Sequence, residues 1–214
     1  MISFLGNSII YISLILTFLF YTNLLKKIIP SNTLSLRLIY LINLVPFVLL
    51  IYAFSISDFT LLNVVENSYI DDPIFYKVTS AWGSHEGSIL LWVFIINLFG
   101  VIFLNKNQIV EIHKNIIFIS TLFILYVLIS SNPFTYVEAN ENILGLGLNP
   151  ILQHFLFVIH PPTLFLGYIG LVIPFALSTH MLVNKNFSER LFKEMLIWSK
   201  ISWFFLTAGI VLGS

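Results

Sequence analysis

Two polar clusters interrupt an otherwise apolar chain, and they hold the side chains whose types and spacing could do chemistry. Residues 82–92 read WGSHEGSILLW, and residues 148–168 read LNPILQHFLFVIHPPTLFLGY. A neutral imidazole is the commonest metal ligand among side chains and can hold iron. His160 is therefore the candidate iron ligand. His85 and His154 could join it, and the sequence leaves their part open.

The prolines that follow His160 set its expected geometry. Proline is tolerated in the first turn of a helix, so Pro161 and Pro162 predict that a helix begins there. The residue before a proline is pushed out of the helical region, so we expect His160 to be extended at the helix mouth. Residues 151–159 are too few to span a membrane and are expected to lie along its surface. The alternative is that His-Pro-Pro only marks a helix start.

The first cluster also allows two interpretations. Ser84 or Ser88 could cap a helix that begins in this run, and a carboxylate at Glu86 would be favoured near its N-terminus. In one interpretation the run is an interfacial aromatic residue, Trp82, followed by a helix cap. In the other it is a polar ledge, with His85 and Glu86, that binds a ligand at the membrane surface.

Composition excludes most classes of protein. Of the 214 residues, 58% are hydrophobic and only 9% are charged, against about 25% charged in soluble domains. A soluble enzyme, a nucleic-acid binder and a disordered tail are excluded, and lipid is an expected partner. The absence of cysteine excludes disulfides and thiol catalysis. The chain is an integral membrane protein.

The elements that must position the clusters are membrane spans. A span needs about 17 to 25 mostly apolar residues, and six runs qualify. The predicted fold is all-α, a single polytopic helix bundle over residues 1–214 with outer loops at 57–87 and 132–162. The predicted spans are residues 3–25, 38–56, 88–104, 116–131, 163–183 and 197–212.

Charge placement predicts the topology. Nine of the ten basic residues lie in the loops between spans one and two, three and four, and five and six. The alternate loops hold seven of the ten acids, Glu141 included. The basic loops should face the cytoplasm or matrix, which puts both termini on the positive side. His113 and His180 are expected to meet solvent or headgroups at the inner ends. Span interiors without ionisable residues argue against a pump or transporter.

The chain resembles the N-terminal part of cytochrome c maturation protein F (CcmF), a family of membrane haem lyases. The order and spacing of the motifs agree along the whole chain. The matching runs are WGSHEGSILLW at 82–92, SNPF at 131–134, LNPILQ at 148–153, IHPPTLFLGYIG at 159–170 and TAGIVLGS at 207–214.

The resemblance implies a reaction and a set of roles. In that family, haem from a haem chaperone is held at the outer face, and its vinyl groups are joined to the two thiols of an apocytochrome c. The family's outer haem histidine falls on His160, as ligand of the haem iron. The resemblance implies weaker, supporting roles for Trp82, His85, Glu86, Pro161 and Pro162.

Other family features lie downstream of the stretch that matches. The tryptophan-rich platform, the second outer histidine and the internal haem ligands follow the Leu-Gly-Ser that ends at Ser214. We expect companion chains to supply them; the alternative is that this sequence is a shortened form of a longer chain. The chain alone is not expected to be a competent enzyme. Ala208, Gly209 and Gly213 are expected to let helices of a companion chain approach span six. The family's Asp-Pro is replaced here by His154 and Phe155.

Composition suggests where the protein acts. The 21 Phe and 16 Asn against five Ala indicate an AT-rich genome, and split forms of this gene occur in some mitochondria. We therefore predict a split lyase subunit in the mitochondrial inner membrane, with the bacterial cytoplasmic membrane as alternative. The alternative function is that of a structural membrane subunit of a respiratory complex without haem.

Overall fold

The structure, a computed structural model, describes residues 1–138 and 143–214. Residues 139–142, which include the predicted outer-loop acid Glu141, lie outside the described residues. The part described is helical and contains no extended strand. Its α-helices are α1 (Ile2–Tyr21), α2 (Asn32–Ser55), α3 (Leu62–Asn67), α4 (Ile74–Gly83), α5 (His85–Leu104), α6 (Val110–Ser130), α7 (Phe155–Gly170), α8 (Val172–Asn184) and α9 (Glu189–Gly213).

Among the described residues, six helical segments are long and apolar enough to cross a membrane, which confirms the prediction of six spans. They are α1, α2, α5, α6, the α7–α8 segment Val158–Asn184, and α9. Helices α2, α6 and α9 begin before the predicted spans, because their first turns carry polar residues that an apolar window excludes. The charged side chains in these turns can reach water while the backbone continues as helix.

The predicted start of the fifth span is wrong. Helix α7 begins at Phe155, and His154 caps it by accepting a hydrogen bond at Nδ1 from the Leu156 backbone N–H, 3.3 Å away. His160 and the two prolines therefore lie inside the helix, and His160 is not extended. Interior prolines remove two helical hydrogen bonds. A side chain from another helix replaces one of them, as the site shows below.

A third proline divides the fifth span. Pro174 has no N–H to offer the carbonyl of Gly170, which is the helical partner four residues earlier. Helix α7 ends at Gly170, and α8 begins at Val172 after a single turn residue, Leu171. The interruption therefore has a local covalent cause.

Helix α5 is the most buried span and contacts α2, α6, α7 and α8. A ladder of uncharged polar side chains crosses the bundle at its level. Ser13 donates to Asn43, whose amide donates to Asn97 Oδ1 at 3.0 Å. Asn97 in turn donates to Ser120 Oγ at 2.7 Å. These bonds join α1, α2, α5 and α6 where water cannot substitute.

The histidines expected at the inner surface are buried. His113 Nε2 lies 2.7 Å from the Asn107 carbonyl, so Nε2 carries the proton and donates. Its Nδ1 then accepts from the hydroxyl of Tyr40 at 2.8 Å. His180 is 8% exposed. The prediction of solvent contacts was wrong for His113, whose ring has both partners inside the bundle, whereas His180 lines an open cleft at the inner end and is bonded to Asn184 of its own helix.

The two outer loops are joined to each other and to α1. Backbone hydrogen bonds link Leu62 to Thr135 and Val137 to Thr60, both at 3.0 Å. Phe134, from the SNPF run, is fully buried. A side chain at Gly6 would meet its ring at 2.3 Å, so glycine is what allows this contact. We call this end of the bundle the outer end and the opposite end the inner end.

Replacing Asn97 with Leu should destabilise the bundle, because it leaves the Asn43 amide and the Ser120 hydroxyl without their shared partner. We expect the free energy of unfolding in mixed micelles to fall by about 1–2 kcal/mol. Thr121→Val is the matched control, since Thr121 donates only to its own helix. Equal losses in the two variants would contradict the structural role of the ladder.

The charge distribution predicts that the inner end faces the cytoplasm or matrix. The chain has no cysteine, so a single introduced thiol is unique. In intact cells or mitoplasts, a membrane-impermeant maleimide should label Asp71→Cys, between α3 and α4. Asn186→Cys, between α8 and α9, should react only after permeabilisation. The reverse pattern would invert the topology.

Candidate functional site

His160 lies on α7 at the outer end and faces α9. Its Nδ1 lies 2.7 Å from the carbonyl oxygen of Gly209. A carbonyl can only accept, so Nδ1 carries the proton and donates. The neutral ring then keeps its lone pair on Nε2, the atom that can ligate a metal. Metal-binding histidines are commonly oriented in this way, by a backbone carbonyl on the other ring nitrogen.

Glycines allow α9 to come this close to α7. A Cβ at Gly213 would lie 2.4 Å from His160 Cε1, and one at Gly209 would lie 2.6 Å from the Leu164 side chain. The prediction that these two glycines would receive a companion chain is therefore wrong. They pack against α7 of the same chain, Gly213 against the His160 imidazole and Gly209 against Leu164.

Trp82 replaces a hydrogen bond that the prolines remove. Within a helix the Val158 carbonyl would accept from the N–H of residue 162, but Pro162 has none. The indole Nε1–H of Trp82 donates to this carbonyl at 3.0 Å. This bond joins the two sequence clusters directly. It also fixes the turn of α7 that carries His160.

The corner between α4 and α5 holds Trp82 in place. Ser84 caps α5 by accepting from the Gly87 backbone N–H at 3.0 Å, as one of the two predicted caps. Ser88 Oγ donates to the Trp82 carbonyl at 2.7 Å. A Cβ at Gly87 would lie 1.8 Å from the carbonyl oxygen of Ala81, so the corner cannot close without glycine here.

The segment before α7 lies against α4. The hydroxyl of Tyr76 donates to the Gln153 carbonyl at 2.8 Å, and the Gln153 amide donates to the Leu148 carbonyl at 3.0 Å. A Cβ at Gly83 would be 3.1 Å from Leu148. The LNPILQ run thus fastens the start of α7 to the helix that carries Trp82.

His85 and Glu86 point to other parts of the molecule. His85 is exposed, and its Nε2 lies 3.4 Å from the hydroxyl of Tyr126 on α6. Glu86 lines an outer pocket of about 160 Å³ together with Glu66. Within residues 1–138 and 143–214, no three His, Cys, Asp or Glu side chains converge as a metal site.

Sequence reasoning missed the backbone partners of the site. The carbonyls of Gly209 and Val158 orient His160 and Trp82, and no motif names a carbonyl. One signal was present: two prolines inside a helix leave carbonyls that need another donor. An indole is a donor without an acceptor, which makes Trp82 suitable.

A helical bundle with six membrane-length segments and a polar site at one end defines a multi-pass membrane protein. Residues 82–214 match the family model described as cytochrome C assembly protein. The chain belongs to this family, which confirms the resemblance drawn from its motifs.

Curated bacterial relatives share sequence over most of this chain. The chain is 39% identical to the cytochrome c-type biogenesis protein CycK of Bradyrhizobium diazoefficiens over 174 residues, 78% of this chain and 26% of the relative. It is 37% identical to the biogenesis protein CcmF of Haemophilus influenzae over 176 residues, 79% of this chain and 27% of the relative. For CcmF of Escherichia coli the identity is 36% over 174 residues, with 78% and 27% covered.

A solved structure has the same fold over almost the whole chain. A solved structure of "Cytochrome c Heme Lyase CcmF" superposes with a TM-score of 0.80 at 23% identity, covering 98% of this chain and 35% of that one. The likeness shows a shared fold. The chain spans about a quarter of the length of the curated relatives it matches.

Replacing Trp82 with Phe should weaken the outer half of α7, because the Val158 carbonyl loses its donor. The loss of one such bond costs about 1–3 kcal/mol. Hydrogen exchange in peptides covering residues 155–170 should therefore speed up by about 5- to 160-fold if opening is local. Trp203→Phe, on the exposed face of α9, is the matched control. Unchanged exchange in Trp82→Phe would show that this bond does not hold the helix.

Proposed function

We propose that this chain is part of a cytochrome c haem lyase and that His160 Nε2 ligates the iron of the substrate haem at the outer end. The observation that carries the proposal is the hydrogen bond from His160 Nδ1 to the Gly209 carbonyl. It selects the tautomer and orientation that a ligand needs. Haem is substrate here: thiols of an apocytochrome c add across its vinyl groups.

The other site residues act on His160 rather than on haem. Trp82 supports the helical turn around His160, and Pro162 frees the carbonyl that Trp82 binds. Pro161 frees the carbonyl of Phe157 in the same turn. His85 and Glu86 belong to the corner that positions Trp82 and to the outer surface beside it.

The remainder of the lyase is proposed to come from outside this stretch. Family membership and the names of the relatives support a place in cytochrome c biogenesis. The matched region covers about a quarter of those relatives, so the aromatic platform and the opposing iron ligand are assigned to a companion segment or chain. The haem chaperone and the apocytochrome c are the further partners.

The membrane is proposed from the relatives and from composition. The curated relatives named above are bacterial, and they support a bacterial cytoplasmic membrane. The mitochondrial inner membrane, with a split lyase, stays a prediction from the AT-rich composition. A structural subunit of a respiratory complex is not favoured, because the matched family serves cytochrome c assembly.

Replacing His160 with Gly should lower covalent haem attachment to a c-type cytochrome, measured by haem-dependent peroxidase staining. Loss of a ligand or of its orientation commonly costs about 10- to 100-fold in metal affinity or activity. Added imidazole should restore part of the staining, because it can occupy the space left by the side chain. Rescue by imidazole separates loss of the ligand from loss of the fold.

Two further variants test the geometry. In Gly213→Ala a methyl group would lie within 2.4 Å of the imidazole, so staining should fall although His160 is present. In His154→Asn the capping function is kept while a neighbouring histidine is removed, and staining should stay at the unmodified level. Full staining in His160→Gly, without imidazole and with normal protein levels, would refute the ligand role.

A further inference from the structure

The inner end carries a polar cleft that the proposed haem function does not use. It is an open cavity of about 450 Å³ between α1, α6 and α8. Helix α1 ends at Tyr21 and helix α8 ends at Asn184, so both helices end at the level of the cleft. The polar side chains that line it are Tyr21, Glu111, Lys114, Asn115, Thr179, His180 and Asn184.

Two apolar grooves adjoin the cleft on either side of α6. The groove between α6 and α8 has a volume of about 520 Å³ and includes Ile119, Leu122 and Phe175. The groove between α1 and α6 has about 460 Å³ and includes Leu14 and Phe18. Both grooves share the Phe118 side chain with the cleft. The polar cleft is therefore continuous with two apolar grooves, which separate at Phe118.

The cleft presents donors suited to a phosphate group. Lys114 forms no ion pair in the described part of the chain, where the pairs are Arg190–Glu194 and Lys193–Glu189. Its backbone is held by Tyr21, whose hydroxyl donates to the Lys114 carbonyl at 2.5 Å.

His180 adds a second donor to the cleft. The side-chain amide of Asn184 lies 3.1 Å from His180 Nδ1 and donates to it. In the neutral ring the proton is then on Nε2, which can donate. The cleft therefore offers one cation and one neutral N–H donor to an anion.

A carboxylate lies nearer the inner end of the cleft than Lys114. Glu111 precedes Lys114 by three residues on α6, about 4.5 Å nearer the inner end along the helix axis. From the apolar grooves toward the inner end, the order is therefore grooves, then the Lys114 cation, then the Glu111 carboxylate. A phospholipid with an amine beyond its phosphate presents the complementary order of acyl chains, anion and cation.

We propose that the cleft and the two grooves bind one amine-bearing glycerophospholipid of the inner leaflet. Its phosphate contacts Lys114 and His180, its ammonium contacts Glu111, and its two acyl chains lie on opposite sides of Phe118. Leu122 lies about 12 Å along α6 from Lys114, so the groove accompanies a substantial length of chain. A helix about 10 Å across would not fill two separate arms. The inference is independent of the haem site.

The first test places a photo-crosslinking benzoylphenylalanine at position 118 of the full chain in its own membrane. Phe118 is 56% exposed, so the change should be tolerated. Irradiation should add the mass of one phospholipid to the peptide that contains this residue. A protein adduct at position 118 instead of a lipid adduct would overturn the proposal.

The second test measures bound lipid by native mass spectrometry after mixing the delipidated protein with vesicles of phosphatidylethanolamine. Lys114→Gln should lower retention by about 10-fold, the effect of losing one charge-assisted hydrogen bond. Lys106→Gln, an inner basic residue outside the cleft, should retain lipid like the unmodified chain. Equal retention in the two variants would overturn the proposal, provided both unfold at the unmodified temperature.

Glu111→Gln tests the recognition of the amine. This variant should lose the preference for phosphatidylethanolamine over phosphatidylglycerol while it still binds both. Excess inorganic phosphate should not displace the lipid, because the acyl chains occupy the grooves. Displacement by phosphate would show that the cleft binds only an anion and not a lipid. An unchanged headgroup preference in Glu111→Gln would show that Glu111 does not bind the amine.

Discussion

The outer end depends on the hydrogen bond between the Trp82 indole and the Val158 carbonyl. Inside a membrane protein every backbone carbonyl needs a partner, and consecutive prolines in α7 deny two carbonyls theirs. A donor from α4 meets this need for Val158 at 3.0 Å. The bond holds the turn that carries His160, and it links the tryptophan of one cluster to the carbonyl that Pro162 frees in the other.

Close helix packing completes what that bond begins. Helix α9 approaches α7 because Gly209 and Gly213 have no side chains in the way. The approach brings the Gly209 carbonyl to His160 Nδ1 and leaves Nε2 as the acceptor. The polar ladder through Asn43 and Asn97 holds α1, α2, α5 and α6 together, and α7 packs against α5 of this group. At the site, backbone carbonyls of α7 and α9 accept the hydrogen bonds that fix the position of His160.

Features set by local sequence patterns could be predicted, whereas contacts between distant parts of the chain could not. The six spans and the cap at Ser84 follow from apolar runs and from residue preference at helix starts, which are local properties. The conformation of His160 was predicted wrongly because the preference of a residue before proline for extended backbone is a steric bias, and here the helix that begins at Phe155 continues through it. His113 was assigned to the surface because its sequence neighbour, Lys114, is charged. Its partners Tyr40 and Asn107 come from elsewhere in the chain.

The sequence by itself determined the membrane class, the number of spans, the family and the identity of His160 as the candidate ligand. Each of these follows from composition or from the order of residues along the chain. The tertiary structure decided which nitrogen of His160 is protonated, which face of α9 the glycines serve and that His85 contacts Tyr126. It also placed Glu86 in an outer pocket together with Glu66. These are relations between helices brought together by packing, and spacing along the chain does not specify them.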